Sequence, residues 1–186
     1  MSDYGKMGYD LARFFLNFCR NESCGKCVPR RKGLPLMIDI MQKITQGEGD
    51  MNDIERLVDL GKTVKIGSLC GLGTTAPNAI LSSIRYFRDE WEAHTIEKKC
   101  PALVCKSLIN FYILPDKYAG CGICLRACPV EAISGGKRLV HIIDQEKCIK
   151  CGICLEKCPE RLSAVVKVTG ETITVPKEPV PVGTRE

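Results

Sequence analysis

From residue 8 to about residue 112 the apolar positions recur with the period of a helix. Leu11, Phe14, Phe15 and Phe18 fall at i, i+3, i+4 and i+7, and Leu34, Met37, Ile38 and Met41 repeat that spacing. A third run carries Ile54, Leu57 and Val58 towards Lys65, and either Asp50 or Asn52 has the side chain to cap its start. Pro77 is placed as the first residue of a fourth helix, in which Ile80, Ile84, Phe87 and Trp91 form the apolar stripe. Four helices joined by short Gly-rich loops predict a small four-helix bundle with these stripes as its core.

From Pro115 to about Val175 the texture changes to an internal repeat of about 30 residues. Each copy is a cysteine-rich loop, a short helical turn ending in Cys-Pro, and then a strand. "AISGGKRLVHII" and "SAVVKVTGETITV" both read as hairpins around Gly turns. The tail "PKEPVPVGTRE" is Pro-rich and reads as an extended surface segment.

Composition then narrows the chemistry. Thirteen cysteines in 186 residues, with only 6% aromatics, mark a chain rich in ligands rather than in bulky core. A secreted disulfide scaffold and an intracellular metalloprotein both use many cysteines. Here the total is odd, most cysteines sit in C-x2-C pairs, and "MSDYGKMGYDLARFF" lacks a basic segment followed by an apolar one. The reading is therefore a metalloprotein of a reducing cytoplasm. No apolar run approaches the roughly 18 residues of a membrane span. The formal charge of +5 is spread along the chain except at "PRRK", a solvated loop rather than a nucleic-acid site.

The second copy of the repeat reads Cys148, Cys151, Cys154 and Cys158 as C-x2-C-x2-C-x3-C-P, the spacing of a [4Fe–4S] site whose fourth cysteine serves a neighbouring cluster. By that crossover the complete set is Cys128, Cys148, Cys151 and Cys154. The other set is Cys121, Cys124 and Cys158, with Tyr118 where its twin has Cys148. Phenolate is a rare iron ligand, because a pKa of about 10 must be overcome. Three thiolates nevertheless hold a four-iron or three-iron cluster, so a bound cluster is expected there too. Cys24, Cys27 and Cys70 are spaced to converge on a further metal, zinc or iron. His94-x5-Cys100-x4-Cys105 supplies three of four ligands for tetrahedral zinc, with Cys19 as the remaining candidate.

The stretch "ESCGKCVPRR…GEG…SLCGLGTTAPNAILSSIRYFRDEWEAH" resembles the C-terminal iron–sulfur region of the NADH-binding flavoprotein subunit of respiratory complex I. It looks closest to the version in electron-bifurcating iron hydrogenases and NAD-linked formate dehydrogenases, where a two-cluster ferredoxin module follows. The resemblance implies a bundle cluster whose ligands match Cys24, Cys27, position 30 and Cys70. Position 30 is arginine in this chain. It also implies an electron-transfer subunit of an obligate hetero-complex, relaying electrons between a flavin- and NAD(P)H-binding partner and another redox subunit or ferredoxin. "GLGTTAPN" reads as a helix-entry loop rather than a nucleotide loop, which places FMN and NADH on a partner.

The expected architecture is thus α+β. It comprises a helical iron–sulfur bundle over 1–93, a linker with a zinc site over 94–114, a bacterial-type two-[4Fe–4S] ferredoxin-like module over 115–175, and a tail over 176–186. Two rival readings remain open on the sequence. One is a structural hinge with zinc and degenerate clusters and a single redox-active cluster. The other is an enzyme using an open iron, for which no nucleophile-plus-base pair is evident.

Overall fold

The structure, a computed structural model, describes residues 8–170, 173, 176 and 179–182. The chain divides into two compact units, Met1–Leu108 and Ile109–Glu186, and mixes helices with two small sheets.

The first unit is helical. It contains α1 (Gly8–Asn21), α2 (Val28–Thr45), α3 (Met51–Gly67), α4 (Gly71–Thr75), α5 (Asn78–Tyr86) and α6 (Arg88–Glu92), followed by a π-helical turn over Ala93–Glu97. Helix α1 packs on α2 and α5, and α3 packs on the same two helices. Leu34, Met37, Ile54, Leu57 and Ile80 are fully buried between them. Helix α3 starts where Asp50, not Asn52, closes a reciprocal capping box. The Asp53 N–H donates to Asp50 Oδ1 at 3.1 Å and the Asp50 N–H donates to Asp53 Oδ2 at 3.0 Å. The stripe expected through the fourth helix is broken at Phe87, whose backbone (φ −131°, ψ 41°) ends α5 before α6 begins. Ile80, Ile84 and Trp91 stay buried, and Trp91 Nε1 donates to Ser83 Oγ at 3.0 Å.

Helix α1 is turned the other way from the expectation. Leu11, Phe14, Phe15 and Phe18 are 56%, 66%, 44% and 50% exposed, while Ala12, Leu16 and Cys19 are buried. The helix carries two adjacent apolar stripes. The stripe with the smaller side chains lies in the core, where helices can approach closely.

In the second unit, β1 (Ile109–Ile113) runs antiparallel to β4 (Val165–Thr169), with Ile109 opposite Thr169 and Ile113 opposite Val165. The first strand expected within "SAVVKVTGETITV" is β4, paired along one edge with β1. Most of its expected return strand lies outside the described residues. The first expected hairpin is present as β2 (Ile133–Ser134) on β3 (Ile142–Ile143). Residues 94–114 divide between the units rather than forming one link, because Ile109–Ile113 is claimed by β4. Two short helices, α7 (Ile123–Ala127) and α8 (Ile153–Glu156), pack on each other. Each starts after a left-handed glycine, Gly122 (φ 67°) or Gly152 (φ 84°), so the sequence repeat is also a backbone repeat. In the tail, Val140 N donates to Val180 O and Val182 N to Arg138 O, which lays that segment extended along 138–140. Among the described residues no helix is long and apolar enough to cross a membrane.

Candidate metal centres

All thirteen cysteines lie within the described residues. Most of them gather at four places.

One pocket, apolar in lining, is bounded by Cys148, Cys151 and Cys154 of the second repeat and by Cys128 of the first. The remaining wall includes Phe111, Ile133 and Ile143. Cys154 is buried, and that burial, reinforced by the Cys148 and Cys151 thiols, pushes its pKa up to about 11. Ala132 N donates to Cys128 Sγ at 3.3 Å, the kind of N–H···S bond that tunes a metal-bound sulfur. Four thiols converging from two repeats on one dry space fit an iron–sulfur cluster.

At the second place Tyr118 is buried beside the thiols of Cys121 and Cys124. Its hydroxyl accepts from Gly122 N at 3.2 Å and lies 2.7 Å from His141 Nδ1. Burial lowers the His141 pKa and so favours the neutral imidazole beside the phenol. Burial is also the main reason the Tyr118 pKa is raised, with the neighbouring thiols adding to it. His141 Nδ1 is 3.9 Å from Cys124 Sγ. Cys158 follows α8 and is partly buried.

The third place gathers His94, Cys100 and Cys105, all buried, with their ligand atoms within 4.8 Å of one another. His94 Nε2 and Cys105 Sγ stand 3.5 Å apart. A sulfur about 2.3 Å and a nitrogen about 2.0 Å from one tetrahedral zinc ion are about 3.5 Å apart. His94 Nδ1 is 2.7 Å from the Glu90 carbonyl, which fixes the proton there and frees Nε2 as a donor atom. The N–H groups of Val104 and Cys105 both point to Cys100 Sγ at 3.4 Å. A hydrogen bond from Cys105 holds the Cys100 thiol well below its ordinary pKa; burial opposes this and His94 reinforces it. The three groups fit a zinc ion. Cys19 is not among them: it sits on α1 within the helical core, and burial raises its pKa.

At the fourth place Cys27 precedes α2, Cys24 lies three residues earlier, and Cys70 precedes α4. Arg30, in the first turn of α2, is 2% exposed. Its Nη2 donates to Cys24 Sγ at 2.7 Å and its Nη1 donates to Cys70 Sγ at 3.1 Å. The Lys26 N–H at Cys24 and the Leu69 N–H at Cys27 hold both thiols below their ordinary pKa, and the Arg30 charge adds to this. With three thiols and a guanidinium between two of them, this set does not fit a four-iron cluster.

Residues 10–94 match the NADH-ubiquinone oxidoreductase-F iron-sulfur binding region, and residues 119–162 match the 4Fe-4S dicluster domain. The two matches lie on separate stretches of the chain. The NADP-reducing hydrogenase subunit HndC of Solidesulfovibrio fructosivorans is 49% identical over 131 residues, which cover 70% of this chain and 27% of that protein. An NADH-quinone oxidoreductase subunit of Streptomyces coelicolor is 39% identical over 90 residues, or 48% of this chain and 20% of that one. A chain of a solved NAD+-reducing [NiFe]-hydrogenase in the H2-reduced state is 33% identical, with a TM-score of 0.45, over 47% of this chain and 15% of that one. This chain therefore spans about a quarter of the length of the first of these relatives.

Within the dicluster module, His141 is the functional candidate that spacing alone does not disclose. It is one of two histidines and stands in "RLVHII", buried next to Val140 just ahead of β3. A buried imidazole needs a polar partner, and the tyrosine at the odd position of the repeat is the one it finds.

Proposed function

We propose that this chain is an iron–sulfur electron-transfer subunit of a multi-subunit oxidoreductase of hydrogenase, formate dehydrogenase or transhydrogenase type. It relays electrons between a flavin- and NAD(P)H-binding partner and another redox subunit or ferredoxin. The observation that carries this reading is the single apolar cavity that unites Cys128 with Cys148, Cys151 and Cys154. A [4Fe–4S] cluster bound there supplies one-electron carriage. The chain's own residues do the rest. The apolar wall excludes water, the Ala132 N–H steadies Cys128, and the left-handed Gly152 turns the loop so that its thiols face inward. Cys121, Cys124 and Cys158 form the second set, with Tyr118 at its fourth corner. His94, Cys100 and Cys105 hold zinc as a structural ion. Helices α1, α2, α3 and α5 act as a four-helix bundle that docks the partner.

The test is iron, acid-labile sulfide and zinc per chain in protein purified without oxygen, followed by a redox titration. Roughly eight irons, falling by roughly four in Cys148→Ser, together with reversible one-electron reduction, is the expected result. Iron that is unaffected by Cys148→Ser, or clusters that no physiological reductant reduces, would overturn it.

A second reading, a structural hinge held by zinc with one redox-active cluster, is favoured by the guanidinium at Cys24 and Cys70. It requires roughly four irons per chain rather than eight, all of them lost in Cys148→Ser.

A further inference from the structure

We propose that the cysteine site of the helical unit is closed to an iron–sulfur cluster, and that the Arg30 guanidinium is the fixed cation its thiols surround. The relay then runs only through the dicluster module.

A guanidinium stays charged in a protein, and a buried charge must be met by opposite charge and hydrogen bonds. Arg30 is almost wholly buried. Among the described residues its guanidinium finds no carboxylate; its partners are Cys24 Sγ and Cys70 Sγ, at 2.7 and 3.1 Å. One planar fork thus bridges two sulfurs that lie 46 positions apart in sequence, since 70 − 24 = 46. A charged donor on each sulfur gives both thiols a reason to be present without a metal.

The placement is built in. Arg30 stands one further step of three beyond Cys27, within the same C-x2-C spacing that gathers ligands elsewhere in the chain. Its backbone is held in the first turn of α2, where Arg31 N donates to Cys27 O at 3.0 Å. From there the side chain reaches across to the Cys70 loop. Gly73 of that loop lies against the arginine: a Cβ there would reach Arg30 Cδ at an ordinary 3.4 Å, while Ser68, at 2.5 Å, is what excludes it. A cluster cannot share the space between Cys24 and Cys70 with the guanidinium, and the residue that would free that space is the arginine itself.

The experiment uses the full chain, loaded with iron and sulfide without oxygen, and reads iron per chain with the EPR spectrum of the reduced protein. Cys24→Ser and Cys70→Ser should leave both readings as in the unaltered chain. Arg30→Cys should add roughly four irons and one further reduced-cluster signal. A fall of roughly three or four irons in Cys70→Ser, or a signal in the unaltered chain that Cys70→Ser removes, overturns the proposal. If Arg30→Cys does not fold, the serine variants decide the matter alone. Repeating Cys70→Ser in a Cys148→Ser background separates this site from the module's clusters, so a failure of one reading is not mistaken for a failure of the other.

Discussion

His94 Nε2 and Cys105 Sγ face each other at 3.5 Å in a buried site, the separation that one tetrahedral zinc ion imposes on a nitrogen and a sulfur. Cys105→Ser should lower zinc from roughly one to near zero per chain while iron stays unchanged, as elemental analysis of the same sample will show. Chelating the zinc should also lower the melting temperature of the helical unit, because His94, Cys100 and Cys105 would remain buried without the ion that satisfies them. Iron in place of zinc, or no metal loss in Cys105→Ser, would refute the assignment.

Leu16 and Phe14 give the orientation of α1 an energetic test. Leu16 is fully buried and Phe14 is 66% exposed. Leu16→Ala should cost about 2–5 kcal/mol, whereas Phe14→Ala should stay within about 0.5 kcal/mol of the unaltered chain. Trp91 is the single tryptophan and lies in the core of the same unit, so its fluorescence in a denaturant titration reads both values. A large cost for Phe14→Ala would restore the aromatic stripe to the core.

The two cases differ in what local sequence can carry. The Asp50 cap was legible because its chemistry is set by a spacing of three residues, which a single turn converts into proximity. The orientation of α1 was not, because Leu11, Phe14 and Phe18 form as good a stripe as Ala12, Leu16 and Cys19. Only the surfaces of α2 and α5 choose between them. The partner of β4 is β1, more than fifty residues earlier, and the partner of His141 is Tyr118, 23 residues earlier. Neither leaves a periodic trace in sequence. Cys19 shows the reverse error: counting unassigned cysteines offered it as a ligand, and packing placed it in the core instead.

Asp53 ties the start of α3 to α2 and should make stability depend on pH. Its carboxylate caps the Asp50 N–H and meets Lys43 Nζ at 2.7 Å. Burial works against the charged form, but the hydrogen bonds from Lys43 and the Asp50–Asp53 box prevail and depress the pKa below its ordinary 3.8. The stabilisation is therefore complete above pH 3.8 and is lost as pH falls through the depressed value. Asp53→Asn should cost about 1–2 kcal/mol at neutral pH, and its stability should approach that of the unaltered chain in acid. Parallel pH profiles for the two proteins, followed through Trp91, would contradict this.

Tyr118 and His141 decide what the odd corner of the repeat does. The phenol accepts the Gly122 N–H and stands 2.7 Å from His141 Nδ1, while burial and the nearby thiols disfavour its ionisation. We expect the corner to be closed by a phenol held between Gly122 and His141 rather than by a phenolate ligand. Tyr118→Phe keeps the ring and should leave iron per chain unchanged, whereas Tyr118→Cys supplies a fourth thiol and should alter the EPR signature of this cluster alone. Gly135→Ala is the complementary change. Gly135 has φ 156°, and a Cβ there would collide with the His141 ring, so the substitution should displace the imidazole and break its contact with the phenol. If Tyr118 were an iron ligand, Tyr118→Phe would instead remove a phenolate-to-iron absorption band and lower the iron count.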